Sequence, residues 1–367
     1  MNLFYAAFIP GLQDFIAEVI KERLSDVKLL KLLDGAVLFE TETSYDKLNF
    51  LCFNNIFAVI NFSEGNHAKN AKIRKERKGD ENIYTAEIEN HIKYFIKESN
   101  SSPLKTQCNS VFNIRTIADN SSNIKTFRII VSNENVPAAI DEKLRAQAEK
   151  QIARLSGLKV NRALCDTEFW FLRRNEGFSV FMKRLTLRSS WEKTLHKGEL
   201  PPPLAWILCR MANLSHNDTV LDPFCGYGSI PEAALKYFHI TNFIACDNNR
   251  EAFKYTSERF NKRKSGAVTL HNTDFIKLPS LIKEKTADVI VTDPPWGHYE
   301  EIDKNGFLVK MFDVFNKLLK DGGRVVLLYA HDDNFQKSIP ECFKIQSQIN
   351  ILLSGKKAVI YSLKKSY

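Results

Sequence analysis

The sequence predicts an α/β protein: a mostly parallel C-terminal sheet with helices on both faces, preceded by a smaller α/β module with an antiparallel component. Three observations carry this. After residue 185, short apolar runs alternate with helical stretches in repeated β-α units, the pattern of a parallel sheet buried on both faces. Before it, "DTEFWFLRR" and "FSVFMKRL" flank the turn "NEG" and read as a hairpin. At the end of the chain, "KIQSQINILL" and "KAVIYSLKK" leave no room for a helix between them, so the last strand is expected to run antiparallel.

In order, residues 12–25 repeat apolar positions at helical spacing (Leu12, Phe15, Ile16, Val19, Ile20), 35–41 reads as a strand and 44–51 as a helix. Residues 66–82 are almost free of apolar side chains and dense in Lys and Arg, a solvated loop or linker. A helix over 83–99 and strands over 110–118 and 126–132 follow. A helix over 137–156 should take Pro137 in its first turn, stack Ile140, Leu144, Ala148, Ile152 and Leu155 on one face, and stop at Gly157. The second half reads as "TVLDPF", a helix from 230, "NFIACD", a helix from 250, "VTLHNTD", a helix over 279–285, "ADVIVTDPP", a helix over 307–320, and "GGRVVLLYA" before the closing hairpin. The domain boundaries this suggests are 1–65, 66–184 and 185–367.

Composition narrows the class. The chain has 367 residues, 44% hydrophobic and 26% charged, as in an ordinary globular protein. A formal charge of +9 points to a polyanionic partner, nucleic acid first. The seven cysteines form no C-x-x-C pair, which argues against a structural zinc site or a disulfide framework and fits a reducing cytosol. The apolar start lacks a basic n-region and a cleavage site, and no stretch approaches membrane-spanning length. A cytoplasmic protein with no metal and no membrane partner is expected, as a monomer or an oligomer of unspecified order.

Four acidic residues, Asp222, Asp247, Asp274 and Asp293, end four successive strand-like runs. In an open parallel sheet that edge is the ligand crevice. One such Asp could simply cap the following helix; four in series are harder to dismiss. In "VLDPFCGYGSIPEAAL" (220–235), Gly226 and Gly228 allow close approach of a ligand to the backbone. The third glycine of a dinucleotide fingerprint is replaced by Pro231, and Asp222 would repel a pyrophosphate but welcome a cation. Asp247, in "IACDNN", sits where an acid can hold both hydroxyls of a ribose. Asp274 offers an acceptor to an adenine amino group, with Phe275 available against the ring. The ligand these describe is adenosine with a cationic substituent and no phosphate, as in S-adenosylmethionine.

The fourth acid lies in "TDPPWG". A nucleobase amino nitrogen is a poor nucleophile because its lone pair is delocalised into the ring. Asp293 and the carbonyl of Pro294 could accept its two N–H hydrogens, with the proline fixing that carbonyl at low entropic cost. Trp296 offers a stacking face, typically worth about 1–3 kcal/mol per base. The base must be unstacked to reach it.

Residues 185–367 resemble the Rossmann-fold amino methyltransferases, on "LDPFCGYGS" followed by "DPPWG". By that likeness Phe224, Ser229 and Asn248 join Asp222, Gly226, Gly228, Asp247, Asp274, Phe275 and Asp293 around S-adenosylmethionine. The segment "RLTLRSSWEKTLHKGELPPPLAWILCRMA" (184–212) is similar to one in the RNA guanine-N2 branch, which implies that His196, Gly198 and Pro201–Pro203 border the methionine end. The whole chain looks like the THUMP-domain RNA methyltransferases, since "NVPAAIDEKLRAQAEKQIARLSGLKVN" and the hairpin after it are similar to the end of a THUMP domain. The resemblance implies a ferredoxin-like domain at 1–65, a THUMP domain at 66–184 and a Rossmann-like methyltransferase domain at 185–367. It further implies a tRNA substrate gripped by the N-terminal half near the acceptor stem, with Arg115, Arg128, Lys143, Lys150, Arg154, Arg173 and Arg174 as candidate contacts. Trp296 departs from the Tyr usual in the guanine branch.

The function implied is methylation of the exocyclic N2 of a tRNA guanosine, with Asp293, Pro294 and Trp296 catalytic. Rivals are methylation of rRNA guanine or of adenine N6, an RNA-binding protein with a degenerate methyltransferase domain, and a nicotinamide-dependent oxidoreductase. The intact glycines and DPPW disfavour the degenerate reading, and the missing third glycine disfavours the last.

Overall fold

The structure is a computed structural model that describes residues 1–44, 48, 50–64, 81–101, 124–134, 136–186, 195–261, 266–296, 304–332 and 335–366. The chain divides into two compact units, Met1–Phe8 with Gln13–Ser189, and Ile9–Leu12 with Ser190–Tyr367.

The first unit contains β1 (Asn2–Ala7), α1 (Gln13–Arg23), β2 (Lys28–Leu33), β3 (Ala36–Thr41), β4 (Asn55–Glu64), α2 (Glu81–Ser101), β5 (Thr126–Asn133), β6 (Val136–Pro137), α3 (Glu142–Ser156), β7 (Lys159–Val160), β8 (Thr167–Arg174) and β9 (Phe178–Arg184). Its strands form one sheet in the order β2-β3-β1-β4-β9-β8-β5-β6, with β7 paired to β5. Most pairings are antiparallel, but β5 runs parallel to β7 and β8. One apolar layer gathers Leu3, Tyr5, Leu38, Phe57, Val59 and Val180. On α2, Ile88, Ile92 and Phe95 are fully buried, and the Phe95 ring lies 4.4 Å from that of Phe181.

Two differences from the sequence reading stand out in this unit. Strands β1, β2 and β4 were not expected; the middle of β1 and most of β4 are buried without interruption, so neither shows the period-2 alternation that marks a half-buried strand. Helix α3 starts later than expected. Asp141 is its N-cap, accepting a 2.9 Å bond from the Leu144 N–H, while Pro137 belongs to β6. Its end is as expected: Gly157 takes the left-handed conformation at φ 74° and bonds back to Ala153. The strand expected over 110–118, most of the loop over 66–82 and part of the helix over 44–51 lie outside the described residues.

The second unit contains α4 (Pro202–Met211), β10 (Thr219–Asp222), α5 (Ser229–Phe238), β11 (Asn242–Asp247), α6 (Arg250–Asn261), β12 (Val268–Asn272), a 3-10 turn (Phe275–Ser280), β13 (Ala287–Thr292), α7 (Lys304–Leu318), β14 (Leu319–Ala330), a 3-10 turn (Gln336–Ser338), β15 (Phe343–Leu353) and β16 (Lys356–Lys365). The sheet order is β12-β11-β10-β13-β14-β16-β15. The first five strands are parallel, and β16 pairs antiparallel with both β14 and β15, as the missing helix required. Chain order runs outward from β10 to β12 and then returns to place β13 on the other side of β10. A ligand crevice forms at such a switch point, outside the carboxyl ends of the strands. The helix expected over 279–285 is instead the 3-10 turn at 275–280. Asp274 caps it, and Pro279, which has no N–H, prevents a regular α-helix from extending.

Candidate active site

Two cavities open at this switch point. The first, of about 410 Å³, is lined by the carboxylates of Asp222, Asp247, Asp274 and Asp293, by Phe224, Gly226, Ser229, Asn248 and Phe275, and by the unforeseen Glu199, Tyr227 and Phe307, among others. The structure thus brings all four strand-end acids around one cavity.

Asp222 is fully buried, and its Oδ1 accepts bonds from the Phe224 N–H at 3.1 Å and the Thr292 hydroxyl at 2.7 Å. Its Oδ2 is buried with no hydrogen-bond partner among the described residues. Burial pushes the Asp222 carboxyl up to about 8 against the pull of the Thr292 and Phe224 bonds, and the charges of Asp247 and Asp293 add to the rise. An orphaned acceptor facing a cavity of further acids is a ready partner for a cation.

Asp247 holds the glycine turn in place: Oδ2 accepts from the Gly226 N–H at 2.7 Å and Oδ1 from the Asn249 N–H at 2.8 Å. Each oxygen keeps a second lone pair for a diol. Burial raises the Asp247 carboxyl despite these bonds. Gly228 has φ +85°, and a Cβ there would lie 3.0 Å from the Thr256 methyl and 3.1 Å from the Phe260 ring, so it lets the turn pack on α6. Gly226 has φ +49° and a Cβ there would meet nothing within 4 Å, so its bare backbone borders open cavity space.

The rings of Phe224, Phe275 and Phe307 sit mutually 4.8–5.7 Å apart. Beside them Asp274 caps its turn through a 3.0 Å bond from the Ile276 N–H. Glu199 has a buried side chain, its carboxylate held by the His196 N–H at 3.1 Å, the Ser229 hydroxyl at 3.4 Å and Arg259 at 3.6 Å. The sequence signalled it only as an acid beside the three prolines.

The second cavity, of about 380 Å³, is lined by Leu195, His196, Pro201, Pro294, Leu353, Ser354 and Lys356, and shares Gly198, Glu199, Leu200, Asp293, Pro295 and Trp296 with the first. Asp293 and Trp296 therefore form a common wall. The Trp296 indole N–H donates to Asp293 Oδ1 at 3.0 Å. Enclosure by protein raises the Asp293 carboxyl to about 7, and the indole bond opposes the rise.

Of the remaining expected residues, His196 lies on the second cavity, its ring stacked on Tyr227 at 4.2 Å. Pro203 is buried in the first turn of α4 and lines neither cavity; Gly228 supports the turn from behind.

Among the candidate RNA contacts, Arg128 pairs with Glu168, buried Arg173 with Glu87 at 2.6 Å, and buried Arg174 with Glu134 at 3.0 Å and Glu176 at 2.8 Å. These arginines are engaged by carboxylates of their own unit, and Arg173 and Arg174 also line a cavity of about 320 Å³ with Glu87 and His91. Lys143, Lys150 and Arg154 are exposed on α3, and Arg115 lies outside the described residues.

The donor set fits S-adenosylmethionine. Acids dominate the first cavity, and the Arg259 that reaches Glu199 is itself paired with Glu232 at 3.0 Å, which suits a cationic, phosphate-free adenosine and would repel a dinucleotide.

Residues 189–351 match a family of RMKL-like methyltransferase domains. The tRNA (guanine(6)-N2)-methyltransferase of Archaeoglobus fulgidus is 23% identical over 92% of this chain and 86% of its own length. The tRNA (guanine(10)-N2)-dimethyltransferase of Methanocaldococcus jannaschii is 30% identical over 43% of this chain and 45% of its own. The U6 snRNA (guanine-N(2))-methyltransferase THUMPD2 of Bos taurus is 27% identical over 42% of this chain and 30% of its own. Among solved structures, TrmN from Thermus thermophilus matches the full length of both chains with a TM-score of 0.75 at 18% identity. SMU.472, solved in complex with SAH, covers 98% of this chain and 97% of its own with a TM-score of 0.65 at 12% identity. Among the described residues no helix is long and apolar enough to cross a membrane.

Proposed function

We propose that the chain belongs to the THUMP-containing tRNA methyltransferases, S-adenosylmethionine-dependent enzymes, and that it methylates the exocyclic N2 of a guanosine in the acceptor-stem region of tRNA. The observation that carries the reading is the shared wall: Asp293 and Trp296 face both the acid-lined cavity and its neighbour. A methyl donor in one and a base in the other would meet across it.

In this reading Asp222 and Glu199 hold the cationic methionine end, Asp247 the ribose, and Asp274 with Phe275 the adenine, while Gly226 leaves the backbone open to the ligand. Bound S-adenosylmethionine supplies an electrophilic methyl group on a sulfonium, so alignment accounts for most of the rate. Asp293 Oδ2 and the Pro294 carbonyl accept the two N–H hydrogens of the target amine, returning electron density to its nitrogen. Trp296 stacks on the ring. Transfer would break the methyl–sulfur bond, its electron pair staying on a neutral thioether, as the nitrogen–carbon bond forms; the amine then loses one proton, and the Asp293 carboxyl at about 7 has a proton affinity suited to receive it.

The domains at 1–65 and 66–184 are assigned to RNA binding, with exposed α3 lysines toward the phosphates. The cytoplasm, where free cysteines stay reduced, is the compartment that fits.

The test is transfer of a labelled methyl group to unmodified tRNA, followed by nucleoside analysis. N2-methylguanosine is expected; N6-methyladenosine, or label only in other RNA, would overturn the substrate. Asp293→Ala should abolish transfer while S-adenosylhomocysteine still raises the melting temperature. Normal turnover in that variant would remove Asp293 from the mechanism.

A further inference from the structure

The DPPW segment cannot by itself choose a base. Asp293 and the Pro294 carbonyl accept N–H from the amine of guanine or adenine alike, and an indole stacks on either. Discrimination must come from elsewhere on the second cavity.

The β15–β16 turn supplies a candidate. Leu353 pairs with Lys356, so the loop is two residues, Ser354 and Gly355, at φ 48° and 79°. Positive φ at both central positions is the signature of a type I′ hairpin, whose twist matches its strands and fixes their register. Strand β14 pairs with β16 only between Ala358 and Lys364, so the hairpin tip projects past the end of β14 at Ala330. The His331 N–H to Lys357 carbonyl bond, 3.1 Å, ties the projecting segment down. Because β13 and β14 are parallel, this overhang lies on the same sheet edge as Asp293, and Leu353, Ser354 and Lys356 line the second cavity with it.

We infer that Lys356 reads the O6 acceptor of the target guanine, making the β15–β16 turn the element that selects guanine over adenine. The inference rests on the guanine-N2 reading above. A guanine with its N2 on Asp293 presents O6 and N7, two acceptors, toward its other end, and an ammonium pairs well with both. An adenine with its N6 on Asp293 presents N3 and the C2–H there, with no carbonyl oxygen. The register-fixed base of the Lys356 side chain limits where the ammonium can reach.

The test places either guanine or 2,6-diaminopurine at the methylated position of the same tRNA. The analogue keeps the 2-amino group and replaces the O6 acceptor with an amino donor. Wild type should favour guanine in kcat/KM by about tenfold or more, as expected when a hydrogen bond to a charged group is removed. Lys356→Met should lose most of that preference, and Lys356→Arg should keep it. A preference unchanged in Lys356→Met overturns the inference. So does an equal loss on both substrates, which would mark a phosphate contact. An unchanged melting shift with S-adenosylhomocysteine shows that the variant is folded. Failure here leaves wild-type transfer to guanine intact, whereas failure of the guanine reading is seen as no transfer by the wild type itself.

Discussion

Trp296 gives the acidic-Pro-Pro-aromatic segment more than a stacking ring. Its N–H donates to Oδ1 of Asp293, and in the proposed reading Oδ2 receives the amine of the base. A phenyl ring would keep the stacking and lose the donor. Since the indole bond lowers a carboxyl that enclosure raises to about 7, Trp296→Phe should move it higher. The ionised form accepts the amine, so the rising limb of the pH–kcat profile should shift to higher pH, with kcat down about tenfold or more. An unshifted limb would detach that limb from Asp293. Asp222 shows the opposite face of the same physics. Its folded pKa, about 8, lies above its ordinary value of 3.8, so its contribution to stability is full below the ordinary value and lost as pH rises toward 8. Asp222→Asn keeps the shape without the charge. The variant should melt higher than wild type at pH 8 and above, with the difference closing toward pH 4, while binding S-adenosylmethionine more weakly. Melting curves across that range decide it.

At the scale of elements, the strand-to-helix turn after β10 assigns different duties to its two glycines. Gly228 is both left-handed and crowded, with side-chain atoms of α6 3.0–3.2 Å from any Cβ. Gly228→Ala should therefore cost stability by the left-handed penalty of about 1–2 kcal/mol plus the repacking of Thr256 and Phe260. Gly226 is left-handed but uncrowded, and it lines the cavity. Gly226→Ala should lose less stability and proportionately more affinity for S-adenosylmethionine. Urea denaturation beside a binding titration separates the two. This turn was legible in the sequence because glycine, strand and helix signals coincide over a few residues. The strands β1 and β4 were not, since uniform burial erases the alternation on which such a reading relies. The helix expected over 279–285 does not form; the 3-10 turn over 275–280 instead takes in Pro279 near its end.

Across the whole molecule, legibility follows the range of the interaction. The strand-end acids were readable because a parallel sheet gathers them whatever its details. Glu199 and Lys356 were not, since they reach the cavities through a loop and an overhanging hairpin whose positions depend on long-range pairing. Nor does sequence separate a basic residue meant for solvent from one meant for an internal acid. The net charge of +9 hides this division: Lys143 and Lys150 are exposed, while Arg173 is 2% exposed and held by Glu87, Asn133 and Asn175. The two classes should respond differently to substitution. Removing one cation from a phosphate lowers the slope of log Kobs against log salt by about 1, so Lys143→Ala with Lys150→Ala should lower it by about 2 and leave the melting temperature unchanged. Arg173→Ala removes one partner of a buried ion pair, which typically costs about 3–5 kcal/mol, and should lower the melting temperature without that change in slope. tRNA binding measured across a salt series, beside thermal melts of both variants, tests the division. A lowered slope for Arg173→Ala in a folded protein would return that arginine to the RNA.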